Sequence, residues 1–166
     1  MNEQWIIVDG YSVMHTWKRF LTRKARAMSL QHRREELVKC LRQFADHSGR
    51  RLTVVFDGYA AKHKPEGNEP SHGVEVVFSK RGKTADDVIE RLVAETQGRS
   101  KILVVTSDHA ERGTVEAIGA QSMSPDIFEA ELEVVLRDLA GAIRQHSRRR
   151  RIGVLREHWD RESDRA

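Results

Sequence analysis

Several apolar, strand-like runs in this chain end on an aspartate: Trp5-Ile6-Ile7-Val8-Asp9, Leu52-Thr53-Val54-Val55-Phe56-Asp57, and Ile102-Leu103-Val104-Val105-Thr106-Ser107-Asp108. An acidic pair, Asp86-Asp87, opens the helix expected after the run Val74–Phe78. In an open parallel sheet the carboxyl ends of the strands share one edge, and ligands bind at that edge. Carboxylates gathered there raise one another's pKa unless a cation neutralises them. The pattern predicts a divalent-metal site drawn from Asp9, Asp57, Asp86, Asp87 and Asp108. Hard oxygen ligands of this kind select Mg2+ or Mn2+.

Each acid also has a plainer reading. Asp9 precedes Gly10-Tyr11-Ser12, where glycine permits a tight turn, and an acid there caps a helix equally well. Asp57-Gly58 is a common turn dipeptide. In Thr84-Ala85-Asp86-Asp87, Thr84 is the expected N-cap and Asp87 falls where a capping box needs its acid. Two adjacent carboxylates cannot both complete one box, so the pair is expected to supply a ligand, Asp87 ahead of Asp86. Thr106-Ser107-Asp108 offers hydroxyls and a carboxylate at a strand end, suited to a metal or to water, and His109 next to it is placed to touch substrate.

Other chemistries fit less well. Gly82-Lys83-Thr84 resembles the end of a P-loop, but the glycine needed five residues earlier is Val77. A haloacid-type phosphatase needs a second aspartate where Tyr11 stands. The eight histidines show no zinc-like spacing, and Ser12 has no histidine base at a persuasive distance in sequence.

The elements that must position these residues alternate between strand and helix. Strands are expected at Trp5–Asp9, Leu52–Phe56, Val74–Phe78, Ile102–Val105 and, briefly, Ala120–Ser122. Helices are expected from Gly10 to about Phe20, from Ser29 to Ser48, after Thr84, after Asp108 and from Pro125. That alternation predicts an α/β fold, a three-layer sandwich around a mostly parallel sheet. Residues 60–73 read as a long polar surface loop able to cover the crevice. Residues 1–143 form the expected domain, and 144–166 an Arg-rich tail that is mobile when alone.

The chain has 166 residues, enough for one core. Its apolar runs are too short to span a bilayer, and the first strand leaves no room for a signal peptide, so a cytoplasmic protein is expected. A single cysteine, Cys40, sits in the apolar phase of a helix and reads as core. The formal net charge is +4, with basic residues gathered at Lys18-Arg19, Arg23–Arg26, Arg33-Arg34 and Arg148–Arg151. Acids at the centre and arginines around them suit a substrate made of phosphates.

Val8-Asp9-Gly10-Tyr11-Ser12, Val54-Val55-Phe56-Asp57-Gly58, Thr84-Ala85-Asp86-Asp87-Val88-Ile89-Glu90 and Val105-Thr106-Ser107-Asp108 with Glu111, in that order, resemble the motifs of the YacP-like NYN-domain family. The resemblance covers about residues 5 to 135. It implies a PIN-like nuclease fold, a divalent metal held by Asp9, Asp86 or Asp87, Asp108 and Asp57, and cleavage of RNA. It further implies translating ribosomes as a partner, since the characterised branch is a ribosome-associated endoribonuclease. Ser12, Arg81, Lys83, Ser107 and His109 are the residues expected to meet the RNA. Two departures stand out: Ser12 replaces the family's asparagine, and Lys83 stands where an acid is common. A catalytically silent RNA- or ribosome-binding module is the alternative that these departures raise, and a flap-type DNA nuclease is a third reading.

Overall fold

The computed structural model describes residues 4–58 and 73–163, with side chains described through residue 150. The loop expected at 60–73 lies, apart from Gly73, outside the described residues. Five strands, β1 (Trp5–Asp9), β2 (Arg51–Phe56), β3 (Val74–Phe78), β4 (Ile102–Val105) and β5 (Gln121–Met123), form one sheet in the order β3-β2-β1-β4-β5. Every pairing is parallel, with Val8 level with Val54 on one side and Val105 on the other. The chain thus starts in the middle of the sheet, builds outward to β3, then crosses back to β4. The central strands are apolar throughout because helices cover both faces.

Alternate residues divide the core. Ile6, Val8, Leu52, Val54, Phe56, Leu103 and Val105 point to one face, against α1 (Gly10–Thr16), α4 (Leu30–Ser48) and α7 (Pro125–Ser163). Trp5, Ile7, Val55, Ile102 and Val104 point to the other, against α5 (Ala85–Glu95) and α6 (His109–Ile118). This is the three-layer α/β sandwich expected from the alternation of elements.

One local expectation is corrected. The helix expected from Gly10 to Phe20 is broken into α1, α2 (Lys18–Leu21) and α3 (Arg23–Ala27). Trp17 and Thr22 take extended backbone at the breaks, Trp17 because its fully buried indole donates to the Pro125 carbonyl (2.8 Å), Thr22 because its hydroxyl caps Ala25. At the C-terminal side, α7 passes through position 144 without a break and continues to Ser163. That segment has no proline and is rich in arginine, a good helix former. Arg144 and Arg148, Arg149 and Arg150 are exposed on it.

Gly10 is required for a reason other than a turn. It opens α1 without a positive φ, and a Cβ there would clash with the edge of the fully buried Phe56 ring at Cε1. Alanine normally gains up to about 1 kcal/mol over glycine in a helix, but overpacking costs about 1–3 kcal/mol. Gly10→Ala is therefore expected to destabilise the protein by about 1–2 kcal/mol net, read as a lower midpoint in urea unfolding with an unchanged slope.

Candidate active site

β1 and β4 are neighbours whose following helices leave toward opposite faces, which makes the sheet edge between them the switch point where open parallel sheets bind ligands. Asp9 closes β1 there. Its Oδ1 accepts from the backbone N–H groups of Tyr11 (3.2 Å) and Ser12 (3.3 Å), and its Oδ2 accepts from the Ser12 hydroxyl (2.6 Å). These bonds fix the carboxylate, which is 8% exposed, at the carboxyl edge of the sheet.

Three carboxylates converge. Asp9, Asp86 at the start of α5 and Glu111 in the first turn of α6 bring oxygens within 4.8 Å of one another. Glu111 is 3% exposed, and neither of its oxygens has a hydrogen-bond partner among the described residues. Burial pushes its carboxyl up to about 8, with Asp86, Asp9 and Asp108 adding to the rise. The Thr106 hydroxyl pulls the other way, although it has no hydrogen-bond geometry to either oxygen. Asp86 is raised too, first by burial and then by the charges of Asp9, Asp108, Glu90 and Asp57. An enclosed polar group without a partner costs roughly 1–3 kcal/mol, more when charged. A donor set of hard oxygens with one member left unsatisfied is what a divalent cation fits.

The remaining acids stand apart from this triad. Asp87 completes the capping box: Thr84 N–H donates to its Oδ2 (2.9 Å) and its own N–H donates to Thr84 Oγ1 (3.2 Å). It is exposed, and the Thr84 backbone N–H, helped by Lys83, holds its carboxyl below the usual range. The capping box claims Asp87, while Asp86 lies with Asp9 and Glu111. Asp108 is the N-cap of α6, accepting from Ala110 (2.7 Å) and Glu111 (3.2 Å) on Oδ1, and its charge is felt by both Asp86 and Glu111. Asp57 accepts from the Ser79 hydroxyl (2.8 Å) and acts on Asp86 more weakly than the other acids do.

Ser12 is fastened into the site rather than falling short of it. Besides donating to Asp9, its hydroxyl accepts from Ser107 (2.9 Å) and lies 3.3 Å from Thr106 Oγ1. Groups that orient a ligating carboxylate typically account for 10–100-fold in metal affinity. Ser12→Ala is expected to weaken Mn2+ binding by about tenfold, as calorimetric titration can measure. Ser107 and His109 are exposed at the rim, and Arg81 and Lys83 are exposed in the turn before α5. Lys83 acts on the Asp87 carboxyl.

In the sequence Glu111 stands out only as part of the family motif. Three positions after Asp108 it reads as the partner of a capping box. The signal that marks it is its phase: it shares the buried stripe of α6 with Val115 and Ile118, where an acid has no structural use.

A parallel α/β sheet with carboxylates converging at its switch point is the arrangement that the resemblance to a PIN-like, nuclease-type family implied. The YacP-like NYN domain model matches residues 6–166, and the chain belongs to that family. It is 30% identical over 141 residues to YacP of Bacillus subtilis (strain 168), covering 84% of this chain and 81% of that one. The crystal structure of Rae1 (YacP) from Bacillus subtilis matches with a TM-score of 0.74 at 30% identity, over 89% of this chain and 84% of that one. The crystal structure of a tryptophan-to-leucine mutant of the same Rae1 matches with a TM-score of 0.70 at 28% identity, over 86% and 82%. Among the described residues, no helix is long and apolar enough to cross a membrane.

Proposed function

We propose that this protein is a divalent-metal-dependent endoribonuclease that hydrolyses phosphodiester bonds at the Asp9–Asp86–Glu111 triad. The observation that carries the reading is Glu111, whose buried oxygens find no hydrogen-bond partner among the described residues and face two further carboxylates. Mg2+ or Mn2+ would be held by these three residues, with the charges of Asp108 and Asp57 adding to the field at Asp86. Such an ion lowers the pKa of water and offsets charge on the transferring phosphate.

The chain's own groups do the rest. Ser12 and the first turn of α1 keep Asp9 oriented. Asp108 fixes the start of α6 and with it Glu111. Ser107 and His109 at the exposed rim meet the substrate, while Arg81, Lys83 and the exposed arginines of α7 bind its phosphates, which makes binding salt-sensitive. The family resemblance extends the substrate to RNA on translating ribosomes, in the cytoplasm. Retention of all the triad acids, with Ser12 bonded to one of them, favours a working site over a silent binding module.

The test is incubation of the purified protein with RNA in chelator, in Mg2+ and in Mn2+. Internal cleavage only with metal is the expected result. Binding without cleavage under either metal would assign the silent module instead.

A further inference from the structure

Arg34 is a cation with 9% of its surface exposed, and nothing in the site above uses it. It lies early in α4, a helix with no acid in its first turn. Its Nη1 donates to the Tyr11 hydroxyl (3.2 Å), and its guanidinium carbon stands 5.5 Å over the Phe78 ring. Among the described residues no carboxylate forms an ion pair with it; Glu35, next along the helix, accepts from Gln31 instead (3.0 Å). Its other nitrogens are not enclosed orphans, so they still reach the surface. The adjacent Arg33 has a buried Nε with no acceptor, which leaves this end of α4 rich in donors and poor in acceptors.

The position matters as much as the charge. Tyr11, which holds Arg34 by its hydroxyl, donates its backbone N–H to Asp9 of the triad. Phe78 is the last residue of β3, level with Phe56 at the end of β2. Arg34 therefore sits at the same carboxyl edge as the triad, one tyrosine away from Asp9. A buried guanidinium is expensive without an anion, and a neutral hydroxyl with an aromatic face offsets only part of that cost. The fork of a guanidinium matches a phosphate bidentately.

We propose that Arg34 binds a phosphate of the RNA strand neighbouring the one cleaved at the Asp9–Asp86–Glu111 triad. This assignment rests on RNA being the substrate, and its test does not need cleavage. Binding of a short single-stranded RNA is measured in chelator over a range of salt for wild type, Arg34→Gln and Arg34→Lys, with melting curves for each. Arg34→Gln is expected to weaken binding about tenfold and to reduce the salt slope by about 0.7, the contribution of one phosphate contact on a single strand, while Arg34→Lys keeps the slope. An unchanged slope in a folded Arg34→Gln overturns the proposal and makes Arg34 a structural cation. Should Arg34→Gln fail to fold, the wild-type side-chain Nε–Hε resonance that vanishes in Arg34→Lys decides the matter. It is expected to shift as the RNA is added, and a resonance unmoved at saturation overturns the proposal. Wild type that binds no RNA overturns it as well. Wild type that binds with the expected slope difference but cleaves under no metal would defeat the nuclease reading while upholding Arg34.

Discussion

Asp9→Asn and Asp86→Asn are each expected to lower Mn2+-dependent RNA cleavage on the order of 10³-fold, the upper range for removing one preorganised electrostatic group from a reacting site, with RNA binding in chelator retained. Both changes keep shape and remove a charge from the place where oxygens of three elements meet within 4.8 Å. Asp87→Asn is the discriminating control. Its carboxylate is committed to Thr84 at the exposed start of α5, so the substitution should lower the melting temperature modestly and leave cleavage within about tenfold of wild type. Single-turnover cleavage with saturating metal separates the two acids. If Asp87→Asn proved as damaging as Asp86→Asn, the capping assignment would be wrong.

The second large effect belongs to Glu111 and has opposite signs with and without metal. Its carboxyl is raised from 4.5 to about 8, so between those values the metal-free folded protein keeps a proton that the unfolded chain has released. Stability is then fully present below the unfolded value and falls as pH rises through the window toward about 8. Glu111→Gln removes that dependence and should raise the melting temperature of the metal-free protein at pH near 8. With metal the sign reverses, because an ion must displace the same proton. Affinity for Mn2+ should climb with pH by up to about tenfold per unit across the window, and Glu111→Gln should flatten this climb while weakening binding. Melting curves in chelator and calorimetric titrations at several pH values read both halves.

Much of this is legible in the chain because the device is repetitive. Ile6-Ile7-Val8 and Leu103-Val104-Val105 are apolar on both faces, which only a covered parallel strand tolerates, and parallel strands put their following acids on one edge. Asp9 and the acid pair at 86–87 follow from that. Which of Asp86 and Asp87 turns inward does not, since neighbours on a helix differ by about 100° and only the packing of α5 fixes its rotation. Glu111 stands out only through the family motif, because a capping box and a ligand have the same spacing from Asp108. Gly10 reads in sequence as a turn residue, since nothing local to Asp9-Gly10 announces that the Phe56 ring, on another strand, occupies the space a Cβ would need. Arg34 resembles any other basic residue of its helix, and only tertiary contact shows it to be buried without a counter-charge.

A cation bound among carboxylates that sequence places on three separate elements is the claim on which the nuclease reading stands. The direct measurement is anomalous diffraction from crystals equilibrated with Mn2+ near pH 8. A peak within coordination distance of oxygens from Asp9, Asp86 and Glu111 together, absent in Asp86→Asn, is the predicted result. Saturating Mn2+ that leaves the triad without a peak, or that binds through Asp87 instead, would contradict it.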